Sequence, residues 1–266
     1  MSAERSIRFT LSARTEMEAN DRRRAEPVKR IIFVTGTGTG AGKTVLTALL
    51  VHFLRGQGRD ALGMKPFCCG SRADARLLHK LQDGCLTLDE INPFYFDKPL
   101  APRVAARGKG QKVSLAAAAA RIGGLAGRCD VLVVEGVGGL MTPLGEGYTV
   151  RELIAALNCR TVIVSPNRLG AINDTILTVD ALQAVGVKEI AIVMMGVRKP
   201  DISVKSNARV IGEMAPGVPV FCLPYLGNGA STAGGVKKKA NFFKKTLARL
   251  SGDDSLGTVL SQNRGD

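Results

Sequence analysis

The sequence predicts an α/β fold: one parallel sheet covered by helices on both faces, in a single domain. Three observations predict it. Short β-branched and aromatic runs alternate with stretches of helical apolar spacing from Ile31 to Leu250, with no linker-like gap. The first of these runs empties into a glycine-rich turn that ends in Lys43-Thr44. Further polar residues, Lys65 and Glu135, fall at the ends of later apolar runs, the edge where parallel sheets bind ligands.

The elements follow in order. Arg30-Ile31-Ile32-Phe33-Val34 is a buried strand by its β-branched content. Five more strands are expected at residues 60–65, 131–135, 161–165, 190–195 and 218–223. Helical patterns occupy 45–55, 74–82, 113–128, 149–157, 173–185 and 204–214, and the alternation implies parallel strands. Phe242-Phe243 fits the apolar face of a final helix.

Residues 35–44 read Thr-Gly-Thr-Gly-Thr-Gly-Ala-Gly-Lys-Thr. Glycines let backbone N–H groups turn inward around an anion, and the helix behind adds partial positive charge at its N-terminus. Lys43 supplies a full charge for the β- and γ-phosphates, and Thr44 a hydroxyl for Mg²⁺. The segment reads as a phosphate-binding loop for a nucleoside triphosphate, and the fold as P-loop NTPase-like. Thr37 stands where the usual pattern has glycine, with Gly36 one residue earlier. The alternative, a glycine-rich strand-to-helix turn with an accidental lysine, leaves the ordered run of strand, loop, lysine, hydroxyl and helix unexplained.

Lys65-Pro66 ends the second strand, where a lysine reaches phosphate and a reacting oxygen; its plain alternative is a surface lysine. Asp74 suits Mg²⁺, directly or through water, or the N-cap of the helix behind it. Glu135 follows Val131-Leu132-Val133-Val134, as in a Walker B strand, and a buried carboxylate there needs a cation. The expected metal set is therefore Thr44, Asp74 and Glu135.

Net charge is +14. Lys237-Lys238-Lys239 and Lys244-Lys245 raise nucleic-acid or membrane-surface binding, but no aromatics interleave with them as a stacking platform. A solvated basic face that attracts anionic substrates is the reading taken. No run is long enough for a membrane span. The six cysteines show no Cys-x-x-Cys spacing, which disfavours zinc and fits reduced thiols in the cytoplasm. Residues 1–29, rich in Arg, Glu and Ser, read as a disordered extension, 30–250 as the folded domain and 251–266 as a flexible tail.

Taken together, the chain resembles the dethiobiotin synthetases. The resemblance rests on Val34-Thr35-Gly36-Thr37, Gly42-Lys43-Thr44, Lys65-Pro66, Asp74-Ala75, Glu135-Gly136-Val137-Gly138-Gly139, Thr142-Pro143-Leu144 and Leu169-Gly170-Ala171-Ile172-Asn173. It spans about residues 30 to 250. It implies a homodimer that closes a cyclic urea on 7,8-diaminopelargonic acid, using CO₂ or bicarbonate, ATP and Mg²⁺, through a carbamate and a carbamic–phosphoric anhydride. Catalytic roles are implied for Lys43, Lys65 and Thr39. Nucleotide contacts are implied for Gly38, Gly40, Ala41, Gly42, Lys43, Thr44, Val45, Met195 and Pro224. Substrate contacts are implied for Lys65, Cys69, Gly138 and the turn Gly170, Ala171, Ile172 and Asn173, which reaches across the dimer to a carboxylate.

The chain departs from the family in places. Gly38 replaces a common acid, Gly40 carries no side chain toward substrate, and Cys68-Cys69-Gly70 stands where a hydroxyl adjoins glycine. Met195 aligns with an adenine-reading asparagine. Two alternatives stay open. One is a related ATP-dependent ligase for another carboxylate or amine; the other is a non-catalytic regulatory nucleotide-binding protein. Against a ParA/MinD-type regulator, Gly38 stands where those ATPases carry a second lysine.

Overall fold

The computed structural model describes residues 30–252. The expectations for 1–29 and for the tail beyond 252 lie outside the described residues. Six strands form the central sheet: β1 (Arg30–Gly36), β2 (Ala61–Met64), β3 (Val131–Glu135), β4 (Arg160–Asn167), β5 (Ile190–Gly196) and β6 (Val220–Leu223). Every pairing is parallel, in the order β6-β5-β4-β1-β3-β2. Ile32 to Gly36 of β1 and all of β3 are buried, so both read as continuous runs rather than alternating ones. β1 lies between β3 and β4, and the chain leaves it first toward β2 and later toward β4. A crevice therefore opens at its carboxyl end.

The helix Lys43–Gly56 buries residues on most of its circumference, among them Leu46, Leu49, Leu50 and Phe53. It lies against the sheet on one side and beneath the C-terminal helices Ala233–Ala240 and Lys244–Ser251 on the other. Each buried leucine contributes about 1.5–3 kcal/mol by leaving water. Edge strand β2 is completed by a side chain. The Gly63 N–H donates to Gln82 Oε1 (2.8 Å), and Gln82 Nε2 donates to the Gly63 carbonyl (3.1 Å). Arg30 Nη1 donates to the carbonyls of Ser251 and Gly252, both at 2.9 Å, and clasps the first strand to the last helix.

The six strands and the main helices lie where the pattern placed them, with local differences. Asp74 is not an N-cap: the helix Ala73–Leu81 begins earlier, after Arg72, and Asp74 sits in its first turn. The expected helix at 204–214 divides into a 3₁₀ turn, Ile202–Lys205, and a helix, Asn207–Met214, with Asp201 capping the turn. Ser114 caps Leu115–Ala126, which shortens the helix expected at 113–128. The final helix takes in Ser251, one residue beyond the expected domain limit. Phe243 packs against the core, but Phe242 is 82 % exposed and does not share its face. Short paired segments escape the pattern: Phe67–Cys69 with Phe94–Phe96, and Pro143–Gly145 with Tyr148–Thr149. At two or three residues they are too short for a period to show.

A candidate active site between the phosphate loop and a buried lysine–glutamate pair

β1 delivers the glycine-rich loop to the crevice, and the loop ends at Gly42. Gly42 is the N-cap of the helix Lys43–Gly56, with φ 101°, a left-handed conformation that favours glycine. A Cβ there would also lie 3.2 Å from the Met195 side chain. No side chain caps this helix, so its leading N–H groups face the crevice as anion donors. Lys43 Nζ donates to the carbonyls of Gly38 (2.8 Å) and Gly138 (2.6 Å), which spans the mouth of the loop. Burial lowers the Lys43 pKa to about 8, and the nearby Lys65 charge adds to the effect against the pull of Glu135 and Asp74.

Opposite the loop, the ends of β2 and β3 bring two charges together. Lys65 Nζ donates to Glu135 Oε1 at 2.8 Å and to the Gly136 carbonyl at 2.7 Å. Thr44 Oγ1 donates to the same carboxylate oxygen at 2.7 Å. The Asp74 carboxylate lies 3.6 Å from Lys65 Nζ. Burial alone would pull the Lys65 ammonium down, but Glu135 and Asp74 outweigh it and hold its pKa above the ordinary value. Burial pushes the Glu135 carboxyl up, with Lys65 opposing. Glu135 is 1 % exposed, and its Oε2 has no hydrogen-bond partner. A buried, unpartnered carboxylate oxygen is costly unless a cation or donor meets it.

A cavity of about 620 Å³ gathers most of the sequence-predicted residues. Thr39, Gly40, Gly42, Lys43, Thr44 and Val45 line one side of it. Lys65, Cys69, Asp74, Glu135 and Gly138 line the other. Beside it, a cavity of about 160 Å³ carries Ala41 and Met195. Gly38 opens instead onto a third cavity, of about 600 Å³, with Thr39, Gly138 and Asp174. Three further placements complete the set. Pro224 is not in the wall beside Met195, where Tyr225 and Leu226 stand. Asp74 and Thr44 border the same cavity as Glu135, but the Thr44 hydroxyl is already engaged with that carboxylate. Gly170, Ala171, Ile172 and Asn173 border none of the three cavities. They form the uncapped start of the helix Ala171–Gln183, with Gly170 as N-cap at φ 92°.

The wall also holds residues that were not among the expected site residues. Pro99, Leu100 and Ala101 close one side of the large cavity through a segment without periodicity. Thr142 lines it too, and its Oγ1 accepts the Gly139 N–H at 3.0 Å, fixing the Gly-rich turn after β3. The proline and glycine punctuation at 99–102 and 136–139 was the available signal.

Known proteins resemble this chain over most of its length. A family model described as an AAA domain matches residues 30–228. The ATP-dependent dethiobiotin synthetase BioD of Anaeromyxobacter dehalogenans is 40 % identical over 74 % of the chain and 90 % of its own length. The protein of the same name from Bacillus subtilis subsp. natto is 35 % identical over 88 % of the chain and 98 % of its own. Among solved structures, the MinD cell division protein of Aquifex aeolicus superposes with a TM-score of 0.56 at 14 % identity. That match covers 84 % of this chain and 98 % of MinD, a likeness of fold.

Proposed function

We propose, from a chain that belongs to the dethiobiotin synthetase family, that this protein is an ATP-dependent cyclo-ligase forming dethiobiotin from 7,8-diaminopelargonic acid and CO₂. What carries the reading is the convergence of Lys43, Lys65 and Glu135 on one cavity at the mouth of an intact phosphate loop. The identity of 40 % to a named synthetase supplies the reaction.

The chemistry joins two anions, so the site must gather negative charge. One amine of the diamine takes up CO₂ as a carbamate. A carbamate oxygen attacks the γ-phosphorus of ATP, and ADP leaves. The second amine attacks the carbonyl carbon, phosphate leaves, and the ring closes. Overall, the diamine, CO₂ and ATP give the cyclic urea, ADP and phosphate. Such transfer depends on positioning and charge neutralisation more than on a protein nucleophile. The free N–H groups behind Gly42 and the Lys43 ammonium would cradle the β- and γ-phosphates. Lys65, held charged by Glu135 and Asp74, would face the carbamate and the transferring phosphoryl group. Thr39 would contact the phosphoryl oxygens from the loop, and Cys69 and Gly138 would border the diamine.

The residues also fit Mg²⁺. Glu135 Oε2 is unpartnered, Asp74 is a second carboxylate on the same cavity, and Thr44 is a hydroxyl beside them, an all-oxygen set. Bound there, the ion would neutralise charge between the β- and γ-phosphates.

The dimer belongs to the same reading. Leu169, exposed, adjoins the turn at Gly170, and Met141 and Leu177, also exposed, line the third cavity. A second copy seated there would bring its Gly170–Asn173 turn to the substrate carboxylate of this chain. Among the described residues no helix is long and apolar enough to cross a membrane. All six cysteines are free thiols, which supports the cytoplasm as the compartment. The test is mass spectrometry of the product from diaminopelargonate, ATP, Mg²⁺ and bicarbonate. The expected product has the mass of the diamine plus CO₂ less one water, and forms only with ATP. Consumption of ATP without that product would refute the assignment.

A further inference from the structure

The cavity beside the phosphate loop offers a base one polar side-chain atom, the Tyr225 oxygen, which can only accept. Its walls are Val45, Pro166, Met195, Val197, Leu226 and Tyr225, with small residues between them. The only side-chain N–H or O–H among the lining residues is the Tyr225 hydroxyl, and it donates to Asn228 Oδ1 at 2.6 Å. A base approaching the end of β5 meets Met195 and Gly196. The Met195 chain is buried against Gly42 of the loop. Gly196 admits nothing larger, because a Cβ there would run into the backbone of Pro224 and Tyr225.

We propose that this site takes nucleoside triphosphates with little regard for the base. The inference rests on the triphosphate reading given above and adds to it the breadth of nucleotide accepted. The phosphates would be gripped by the loop, and the base held by dispersion against Met195, Val45, Pro166 and Leu226. Every base offers such a surface a π-face, and a thioether is soft and polarizable. The magnitudes decide the matter. A site built around hydrogen bonds rejects the wrong partner by roughly 10⁴–10⁵-fold, whereas apolar contacts separate similar ligands by about 10–200-fold at most.

The experiment measures dissociation constants of ATP, GTP, CTP and UTP for the full chain at fixed Mg²⁺, without diamine or bicarbonate. Inorganic tripolyphosphate serves as competitor. The four constants are expected to lie within about 200-fold of one another, with tripolyphosphate displacing each nucleotide. ATP bound more than about 200-fold tighter than the other three overturns the proposal, by showing that backbone groups read the base. Binding by neither nucleotides nor tripolyphosphate overturns the triphosphate site itself and this inference with it. Met195→Asn, checked for native circular dichroism, supplies a donor and an acceptor at the base edge. A preference for one base should then emerge, and a folded variant with four unchanged constants would remove Met195 from the reading position. If that variant does not fold, the four wild-type constants decide alone.

Discussion

At the scale of single residues, the site is a balance of four charges. Lys43 faces Lys65, Glu135 and Asp74 across one cavity, and the Lys65 charge weakens the hold of Lys43 on its proton. Lys43→Ala should leave the fold intact and lower turnover by about 10²–10³-fold, since one preorganised contact to developing charge is lost. A folded variant with near wild-type turnover would remove Lys43 from the chemistry. The pH dependence follows from the same residue. With its pKa lowered to about 8, Lys43 is charged below that pH and neutral above it. Bound phosphates favour the charged form, so kcat/KM for ATP should fall as pH rises past about 8, while kcat holds to higher pH. A kcat/KM flat from pH 7 to 10 would contradict this. Glu135→Gln keeps the shape but removes the carboxylate that holds Lys65 and offers Oε2. The Mg²⁺ concentration needed for half-maximal turnover should rise about 10- to 100-fold, with metal-free nucleotide binding changed much less. Equal losses would mark Glu135 as structural. The sequence exposed Lys65 and Glu135 because each ends an apolar run at the crevice edge, and Lys43 because it closes the glycine-rich loop. It concealed the Gly136 and Gly138 carbonyls that receive the two lysines, because a backbone acceptor has no residue type.

Among the elements, legibility tracked length. β1, β3 and the helix Lys43–Gly56 announce themselves by unbroken apolar content or period. The two-residue strand Tyr148–Thr149 pairs with the adjoining Pro143–Gly145, and the turn Ile202–Lys205 is set by its Asp201 cap; both are too short for a period to show. Gln82 was no more legible: its amide was unremarkable in a polar stretch, yet it is buried and stands in for a missing seventh strand at the edge of β2. Gln82→Leu leaves the Gly63 N–H and carbonyl without those partners, which costs about 1–3 kcal/mol for a buried group. Urea unfolding should show that loss while nucleotide affinity stays at the wild-type value. An unchanged midpoint would mean water replaces the amide. A similar tether holds the turn before Gly170. Asn207 Nδ2 donates to Asn167 Oδ1 (2.9 Å) and to the Arg168 carbonyl (3.1 Å), and Asp201 accepts the Leu169 N–H at 2.9 Å. That turn was visible as sequence, but its support, more than thirty residues downstream, was not.

The whole molecule poses the question of where one site ends. The Gly170–Asn173 turn borders none of the three cavities described above, and a dimer would give it one to serve. Co-expressed Lys43→Ala and Asn173→Ala chains, each inactive alone, should then recover part of the activity. Roughly half the dimers are mixed, each with one working site, so about a quarter of wild-type turnover is the ceiling. No recovery in verified mixed dimers would mean that each chain builds its site alone. The register of the sheet has a further consequence, in time rather than in space. Arg30 begins the central strand, yet its neighbours start at Val131 and Arg160, and its clasp lies at Ser251. On a ribosome adding about 5–20 residues each second, the strand that carries the phosphate loop waits roughly 5–20 s for its first parallel partner. Through that interval its apolar run is unpaired, which makes the youngest chains the ones a chaperone would meet. Stalled nascent chains ending before β3 should therefore be digested through the loop by protease, and those carrying the last helix clear of the ribosome protected.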